Sequence, residues 1–201
     1  MKEILAADGG VPTTPLTIHE VTSHPSNWSS LRRSATQAIT LHATHGSEGT
    51  QSAENGAAEF RRPVKPQRSC HFFVDADSVV ISVPREYIAF HCGHVGNLCT
   101  VGVELCGRAD QTRAQWMDDA SLKTLRVAVR LVAYLCSVYK LPAVLVDGQG
   151  LRVGGRGITT HAAVGGAWGQ TDHTDPGLEF PRAEFVDAVA TLIALGRTSI
   201  A

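Results

Sequence analysis

The chain lacks a surplus of charge of either sign, and it also lacks a long apolar run. It carries 18 basic and 19 acidic residues, a formal net charge of -1 at pH 7. Proteins that hold nucleic acid or an anionic membrane surface need an excess of Lys and Arg. The longest strongly apolar stretch, residues 127–135, contains Arg130 and is far shorter than the roughly 20 residues of a bilayer span. We therefore expect neither nucleic acid nor a membrane as a partner.

A framework of paired cysteines is missing as well. The 5 cysteines form an odd set without a C-x-x-C pair, which argues against a closed disulfide framework and against a Cys-rich zinc site. We expect most of them to be reduced residues of the core. The alternative concerns Cys92 and Cys99, which could form a disulfide in an oxidising compartment.

The amino-terminal segment shows no secretory signal. Its apolar run before Asp8 is too short for the hydrophobic region of a signal peptide, which predicts a product that starts in the cytoplasm. Residues 1–30 are rich in Pro, Thr and Ser and predict an extended arm with little regular structure. Residues 31–201 are long enough for one domain, and 43% of the chain is hydrophobic.

The remaining pattern alternates between strands and helices and predicts an α/β layer structure. Period-two alternation and β-branched runs predict strands at residues 38–44, 70–74, 79–83 and 100–107, the middle two as a hairpin. Three- and four-residue apolar spacing and capping residues predict helices at residues 48–62, 118–139 and 182–195. In the strand at 100–107, Glu104 lies on the face opposite its aliphatic residues.

The chain has 9 histidines, three of which, His42, His71 and His161, lie in or at the ends of predicted strands. A single strand histidine is more often a hydrogen-bonded structural residue than a ligand. The joint presence of His42, His161 and Asp175 changes this balance, because two imidazoles and a carboxylate are a zinc ligand set that leaves one position open for water. A strand carboxylate such as Glu104 could carry the proton that such a site must move.

Six short motifs then occur in a fixed order along the chain. They are residues 39–44 (ITLHAT), 70–77 (CHFFVDAD), 89–93 (AFHCG), 100–107 (TVGVELCG), 157–161 (GITTH) and 173–177 (HTDPG). The series resembles the zinc-dependent N-acetylmuramoyl-L-alanine amidases of the type-2 amidase family, which are related to the peptidoglycan recognition proteins. The resemblance implies a single α/β domain in which helices flank a mixed central β-sheet.

The resemblance also implies roles for particular residues. One zinc ion per chain would be held by His42, His161 and Asp175. Glu104 matches the strand glutamate that activates water in many members, and His173 stands where a basic residue donates to the developing oxyanion. His91 matches a histidine that lines the substrate groove in relatives. One departure is Cys70, which replaces a tyrosine that several phage lysins of the family carry near the metal.

The activity implied by the resemblance is hydrolysis of the amide between the lactyl group of N-acetylmuramic acid and L-alanine in bacterial peptidoglycan. Within this activity we expect a phage endolysin, made in the host cytoplasm and acting on the wall after release; the lack of a visible signal peptide fits this role and a cytoplasmic recycling enzyme equally well. We expect no separate wall-binding domain in residues 31–201, and the sequence does not distinguish a one-domain lysin from the catalytic fragment of a larger one. We expect a monomer. Three alternatives stay open: a non-catalytic peptidoglycan-recognition module, a cytoplasmic amidase that recycles muropeptides, and a zinc hydrolase that acts on another amide.

Overall fold

A computed structural model describes residues 4–5, 14–30 and 34–200 of the chain. The strands of these ranges are β1 (Thr17–Glu20), β2 (Trp28–Ser29), β3 (Ala38–Ala43), β4 (Phe72–Val74), β5 (Ser78–Ile81), β6 (Ile88–Ala89), β7 (Thr100–Leu105) and β8 (Gly157–Thr160). The helices are α1 (Ser52–Ala58), α2 (His94–Cys99), α3 (Arg113–Trp116), α4 (Asp119–Tyr139), α5 (Gly148–Arg152), α6 (His161–Trp168) and α7 (Arg182–Ala194).

Six strands form the central sheet in the order β1-β5-β4-β7-β3-β8. The β4–β5 hairpin is antiparallel and the other pairings are parallel, so the sheet is mixed. Strands β2 and β6 pair separately as a short antiparallel ladder. Helices flank the sheet, which confirms the predicted α/β class with a mixed central sheet.

The longest helix, α4, covers one face of the sheet. It starts at the side chain of Asp118, which accepts hydrogen bonds from the backbone N–H groups of Ala120 and Ser121, and it ends at Lys140 in a left-handed conformation. Its apolar side packs with α7 and with the aliphatic face of β7 in one large buried cluster. Both helices form where their apolar spacing predicts them.

The other face of the sheet carries two smaller apolar clusters. One lies under α1 and includes Phe73 and Cys106, and the other lies under α5 and α6 and includes Leu151 and Val164. All five cysteines are buried and free, so the structure contains no Cys92–Cys99 disulfide. No helix of the described ranges is both long and apolar enough to cross a bilayer.

The structure corrects or refines three local predictions. Of the predicted arm at 1–30, residues 1–3 and 6–13 lie outside the described ranges, and in the described part Thr17–Glu20 pairs in parallel with β5 as an edge strand of the sheet. The helix predicted at 48–62 is shorter, since α1 begins at Ser52 and the chain tightens into a 3-10 turn at Glu59–Arg61. His161 lies at the end of a strand as predicted, but it also begins a helix that was not predicted: β8 ends at Thr160, whose hydroxyl caps the helix that starts with His161.

Candidate active site

Three predicted ligands meet in one buried cluster. His42 comes from the end of β3, His161 from the first turn of α6, and Asp175 from the loop that precedes α7. The Nδ1 atoms of the two histidines are 3.1 Å apart, and each lies 3.0 Å from an Asp175 carboxylate oxygen. No other group of three or more His, Cys, Asp or Glu side chains with such spacing occurs in the described ranges.

Strand register brings the two histidines together. Strands β3 and β8 are parallel neighbours in which Leu41 pairs with Thr160, so the next residues, His42 and His161, emerge side by side at the same edge of the sheet. The Thr160 hydroxyl accepts a hydrogen bond from the N–H of Ala163, which starts α6 immediately after the strand. The sharp change from strand to helix turns the His161 ring toward β3.

A close backbone contact fixes the loop that carries Asp175. Gly177 has a φ of +97°, and a Cβ atom at this position would lie 1.9 Å from the carbonyl oxygen of Ala109. Only glycine fits there, because it lacks the Cβ and tolerates positive φ. The backbone carbonyl of Asp175 also accepts a hydrogen bond from the N–H of Ala162, which ties the loop to the start of α6.

The cluster fits a tetrahedral zinc ion. Nitrogen ligands at zinc bond lengths of about 2.0–2.1 Å lie about 3.3 Å apart. The two Nδ1 atoms are 3.1 Å apart, and each is 3.0 Å from a different oxygen of the Asp175 carboxylate. One ligand atom from each of the three residues lies within 4.8 Å of the others, which is close enough for one ion. Burial lowers the pKa of His42, although the neighbouring carboxylate opposes this effect. In the metal-free protein, burial also acts to raise the pKa of Asp175, but hydrogen bonds donated by His161 and His42 outweigh it and hold that pKa well below its usual range; a bound metal ion would replace these Nδ1 protons. A neutral imidazole and an ionised carboxylate are the forms that bind metal.

Glu104 lies beside the cluster on the central strand. It pairs in register with His42 across β3 and β7 and lines the same cavity. Burial, followed by the negative charge of Asp175, raises its pKa to about 8. Its Oε2 atom is shielded from solvent and has no hydrogen-bond partner in the described part of the chain. Such an unpaired buried oxygen is costly for stability and is typical of a group that handles protons.

The other two predicted site residues, His173 and His91, lie outside the three-residue cluster. The His173 side chain is 66% exposed, and its ring stacks on that of His161 with centroids 4.7 Å apart at the mouth of the cavity. His91 also lines the cavity, but its Nδ1 atom lies 2.9 Å from the outer ring nitrogen of His42. Cys70 supplies no hydroxyl, because it is a buried thiol whose pKa is raised by burial and then by the charge of Glu104.

The cavity above the cluster has a volume of about 710 Å³. Its walls bring together residues from β3, from β7, from the first turn of α6, from the 3-10 turn at 59–60 and from the loops at 44–45, 68–69, 90–91, 109–110 and 172–175. Arg68 is the one Lys or Arg among the lining residues that are described. Sequence reasoning missed Arg68, and it also missed Thr171, whose hydroxyl lies 2.9 Å from the Nε2 atom of His161.

Several solved structures are similar to this protein in fold. Solved structures with a similar fold include a Staphylococcus aureus hydrolase, AmiA, in complex with its ligand (TM-score 0.71, 19% identity, 100% of this chain and 94% of that one). A mutant endolysin from Bacillus subtilis has a TM-score of 0.62 at 18% identity, over 87% of this chain and 99% of its own. The amidase LysC from Clostridium intestinale has a TM-score of 0.53 at 15% identity, over 91% of this chain and 99% of its own.

At these identities the likeness to solved structures concerns the fold. No curated protein sequence matches the chain. Residues 32–178 match the family described as N-acetylmuramoyl-L-alanine amidase, and this range contains the three clustered residues together with Glu104, His91 and His173. Since the match covers most of the chain, the protein belongs to the N-acetylmuramoyl-L-alanine amidase family and is an enzyme of that class.

Proposed function

We propose that this amidase uses one zinc ion to cleave peptidoglycan at the amide between the lactyl group of N-acetylmuramic acid and L-alanine, and that it acts as a phage endolysin. The observation that carries the zinc assignment is the convergence of His42, His161 and Asp175. When bound, zinc would lower the pKa of a water molecule to about 7 and polarise the substrate carbonyl.

The residues around the cluster would divide the remaining work. Oε2 of Glu104 takes a proton from the attacking water and returns it to the leaving nitrogen. In the metal-free protein its pKa is raised to about 8, first by burial and then by the charge of Asp175, so a cation held by Asp175 and the two histidines would offset that charge and favour the ionised form of Glu104 that acts as a base. His173, which stands over the cluster, donates a hydrogen bond to the oxyanion that develops on the carbonyl oxygen.

Substrate binding would use the cavity above these groups. A volume of about 710 Å³ suits a lactyl-peptide segment with part of its sugar. In this proposal the enzyme works as a monomer on peptidoglycan, is made in the host cytoplasm and reaches the wall after release. A non-catalytic recognition module is disfavoured, because all three ligand positions and Glu104 carry competent side chains.

Product analysis tests the bond that is cut. Purified peptidoglycan is digested and the fragments are identified by mass spectrometry. The proposal expects a free lactyl carboxylate on muramic acid together with a new L-alanine amino terminus. Cleaved glycan bonds or cleaved peptide crosslinks would contradict it. Comparing intact peptidoglycan with small soluble muropeptides separates the lytic role from a recycling role, because an endolysin should favour the polymer.

A further inference from the structure

The rings of His42 and His161 have the same orientation in the cluster, and we call the nitrogen of each ring that points away from the cluster its outer nitrogen. Each ring points Nδ1 into the cluster and Nε2 away from it. The Nε2 atom of His42 lies 2.9 Å from Nδ1 of His91, and the Nε2 atom of His161 lies 2.9 Å from the Thr171 hydroxyl oxygen. Both outer nitrogens therefore have a specific partner, and these partners come from different parts of the chain.

The chemistry of a ligand nitrogen determines what these partners must do. A nitrogen that binds a metal needs its lone pair, so in a neutral imidazole the proton lies on the other nitrogen. Nε2–H of His42 then donates to the Nδ1 lone pair of His91, and Nε2–H of His161 donates to the oxygen of Thr171. Both outer partners are thus required as hydrogen-bond acceptors.

The fold holds the His91 ring in place for this contact. The backbone N–H groups of His91 and Cys92 both donate to the Asn97 side-chain oxygen at 2.8 Å. The ring lies over Gly102 on β7, where a Cβ atom would come within 2.8 Å of Nδ1. It also meets the His71 ring edge to face, with centroids 5.5 Å apart.

Hydrogen bonds and a close backbone contact also fix His71 and the loop that carries Thr171. His71 accepts a hydrogen bond from Gly102 N–H at Nδ1 and contacts the carbonyl oxygen of Tyr87 through Nε2, so its own orientation is set. The carbonyl oxygen of Thr171 sits only 2.7 Å from where a Cβ of Gly165 would be, so the missing side chain lets the loop reach α6.

We propose that His91 and Thr171 are positioning residues that hold His42 and His161 in the Nε2-protonated tautomer, with both Nδ1 lone pairs aimed at one metal ion. The inference rests on the zinc site of the proposed function. It gives His91 a task that is separate from substrate contact. Acceptors of this kind orient ligand histidines, and their loss typically lowers metal affinity by about 10–100-fold.

Zinc affinity of the full chain, measured by competition with a chromophoric chelator, tests the proposal without any substrate. His91→Leu removes the acceptor, whereas His91→Asn places an amide oxygen near the position of Nδ1. Thr171→Val removes the hydroxyl in nearly the same volume, whereas Thr171→Ser keeps it. We expect the dissociation constant to rise by about 10–100-fold in the Leu and Val variants and by no more than a few-fold in the Asn and Ser variants.

Each other outcome contradicts the proposal in a recognisable way. Wild-type affinity in His91→Leu and Thr171→Val would overturn it, and equal losses in His91→Leu and His91→Asn would show that ring packing matters instead of the acceptor. An unfolded His91→Leu protein would also overturn it, because a residue that acts through His42 should leave the metal-free fold intact. His94→Leu, an exposed histidine on α2, is the control. A wild-type chain that binds no zinc would instead refute the zinc site itself.

Discussion

The two faces of the central sheet are built from the same strands but carry different side chains. On β7, Val101, Val103 and Leu105 point into the large apolar cluster with α4 and α7. The alternate residues face the other way, where Gly102 lies under His91 and Glu104 lies beside the histidine cluster. One face is closed and apolar, whereas the other is open at the strand ends and rich in ionisable groups.

This difference separates stability from chemistry along a single strand. The apolar face supplies most of the buried hydrophobic surface, and hence most of the driving force for folding. The polar face holds an unpaired carboxyl oxygen and a cluster of imidazoles that contribute little to stability when no metal is present. We therefore expect substitutions on the two faces to have separable effects, and four predictions test this, from the largest expected effect to the smallest.

Loss of a cluster histidine should remove the metal and leave the core intact. His161→Ala deletes one of three candidate ligands, so the variant should retain almost no zinc after dialysis and should lose hydrolysis of peptidoglycan. Elemental analysis gives the zinc content per chain, and circular dichroism checks the fold. His94→Ala is the matched control, because His94 is exposed on α2 and lines neither the cluster nor the cavity above it. Retention of one zinc ion by His161→Ala would contradict the assignment.

Loss of the strand carboxylate should separate metal binding from turnover. Glu104→Gln preserves the shape of the side chain but cannot accept a proton, so turnover should fall by about 10²–10⁴-fold while the zinc content stays at the wild-type level. Initial rates on purified peptidoglycan and elemental analysis of the same sample measure both quantities. A Glu104→Gln protein with full activity would show that another group moves the proton.

A substitution on the apolar face should lower stability and leave zinc content and turnover unchanged. Leu125 is fully buried on α4, and Leu125→Ala should reduce the free energy of unfolding by about 2–5 kcal/mol. Chemical denaturation gives this difference, and zinc content and turnover per folded molecule should not change. Leu195→Ala, at a residue that is 57% exposed, should change the free energy of unfolding by less than about 0.5 kcal/mol. Equal losses in both variants would contradict the division between the faces.

The polar face should also make the metal-free protein sensitive to pH. The pKa of Glu104 is raised to about 8 in the folded state, so the unfolded chain loses this proton at lower pH than the folded chain. The contribution of Glu104 to the free energy of unfolding should therefore fall as pH rises from about 4.5 to about 8, by on the order of a few kcal/mol, since each unit of pKa shift corresponds to about 1.4 kcal/mol. Denaturation of chelator-treated wild-type and Glu104→Gln proteins measures the difference, and parallel pH profiles would contradict it.

Much of the apolar face could be predicted from sequence because its signals are local. The alternation of Val101, Val103 and Leu105 places Glu104 on the opposite face, and Asp118 marks the start of α4 at the predicted residue. The edge strand Thr17–Glu20 escaped prediction, because its pairing with β5 is a tertiary interaction that leaves little trace in a polar segment.

The polar face was less accessible to sequence reasoning. The ligand set of His42, His161 and Asp175 was predicted through the resemblance to the amidase family. Their proximity itself depends on the register between β3 and β8 and on a loop pressed against Ala109. His161 was predicted in or at the end of a strand, but the helix that it begins was not predicted, because nothing local shows that Thr160 caps a helix. Thr171 gave no signal of its own, since a threonine in a polar loop is usually explained by local hydrogen bonds.

The clustered residues are far apart in sequence, so the stability of the fold should depend on the concentration of free metal ion. His42 and Asp175 are 133 positions apart, so an ion held by both would act as a reversible crosslink between a central strand and a distant loop. Such an ion binds the folded chain in preference to the unfolded one, and its contribution to the free energy of unfolding grows with the logarithm of free ion concentration. The melting temperature of this enzyme should thus report the availability of zinc around it, and a chelator should lower it.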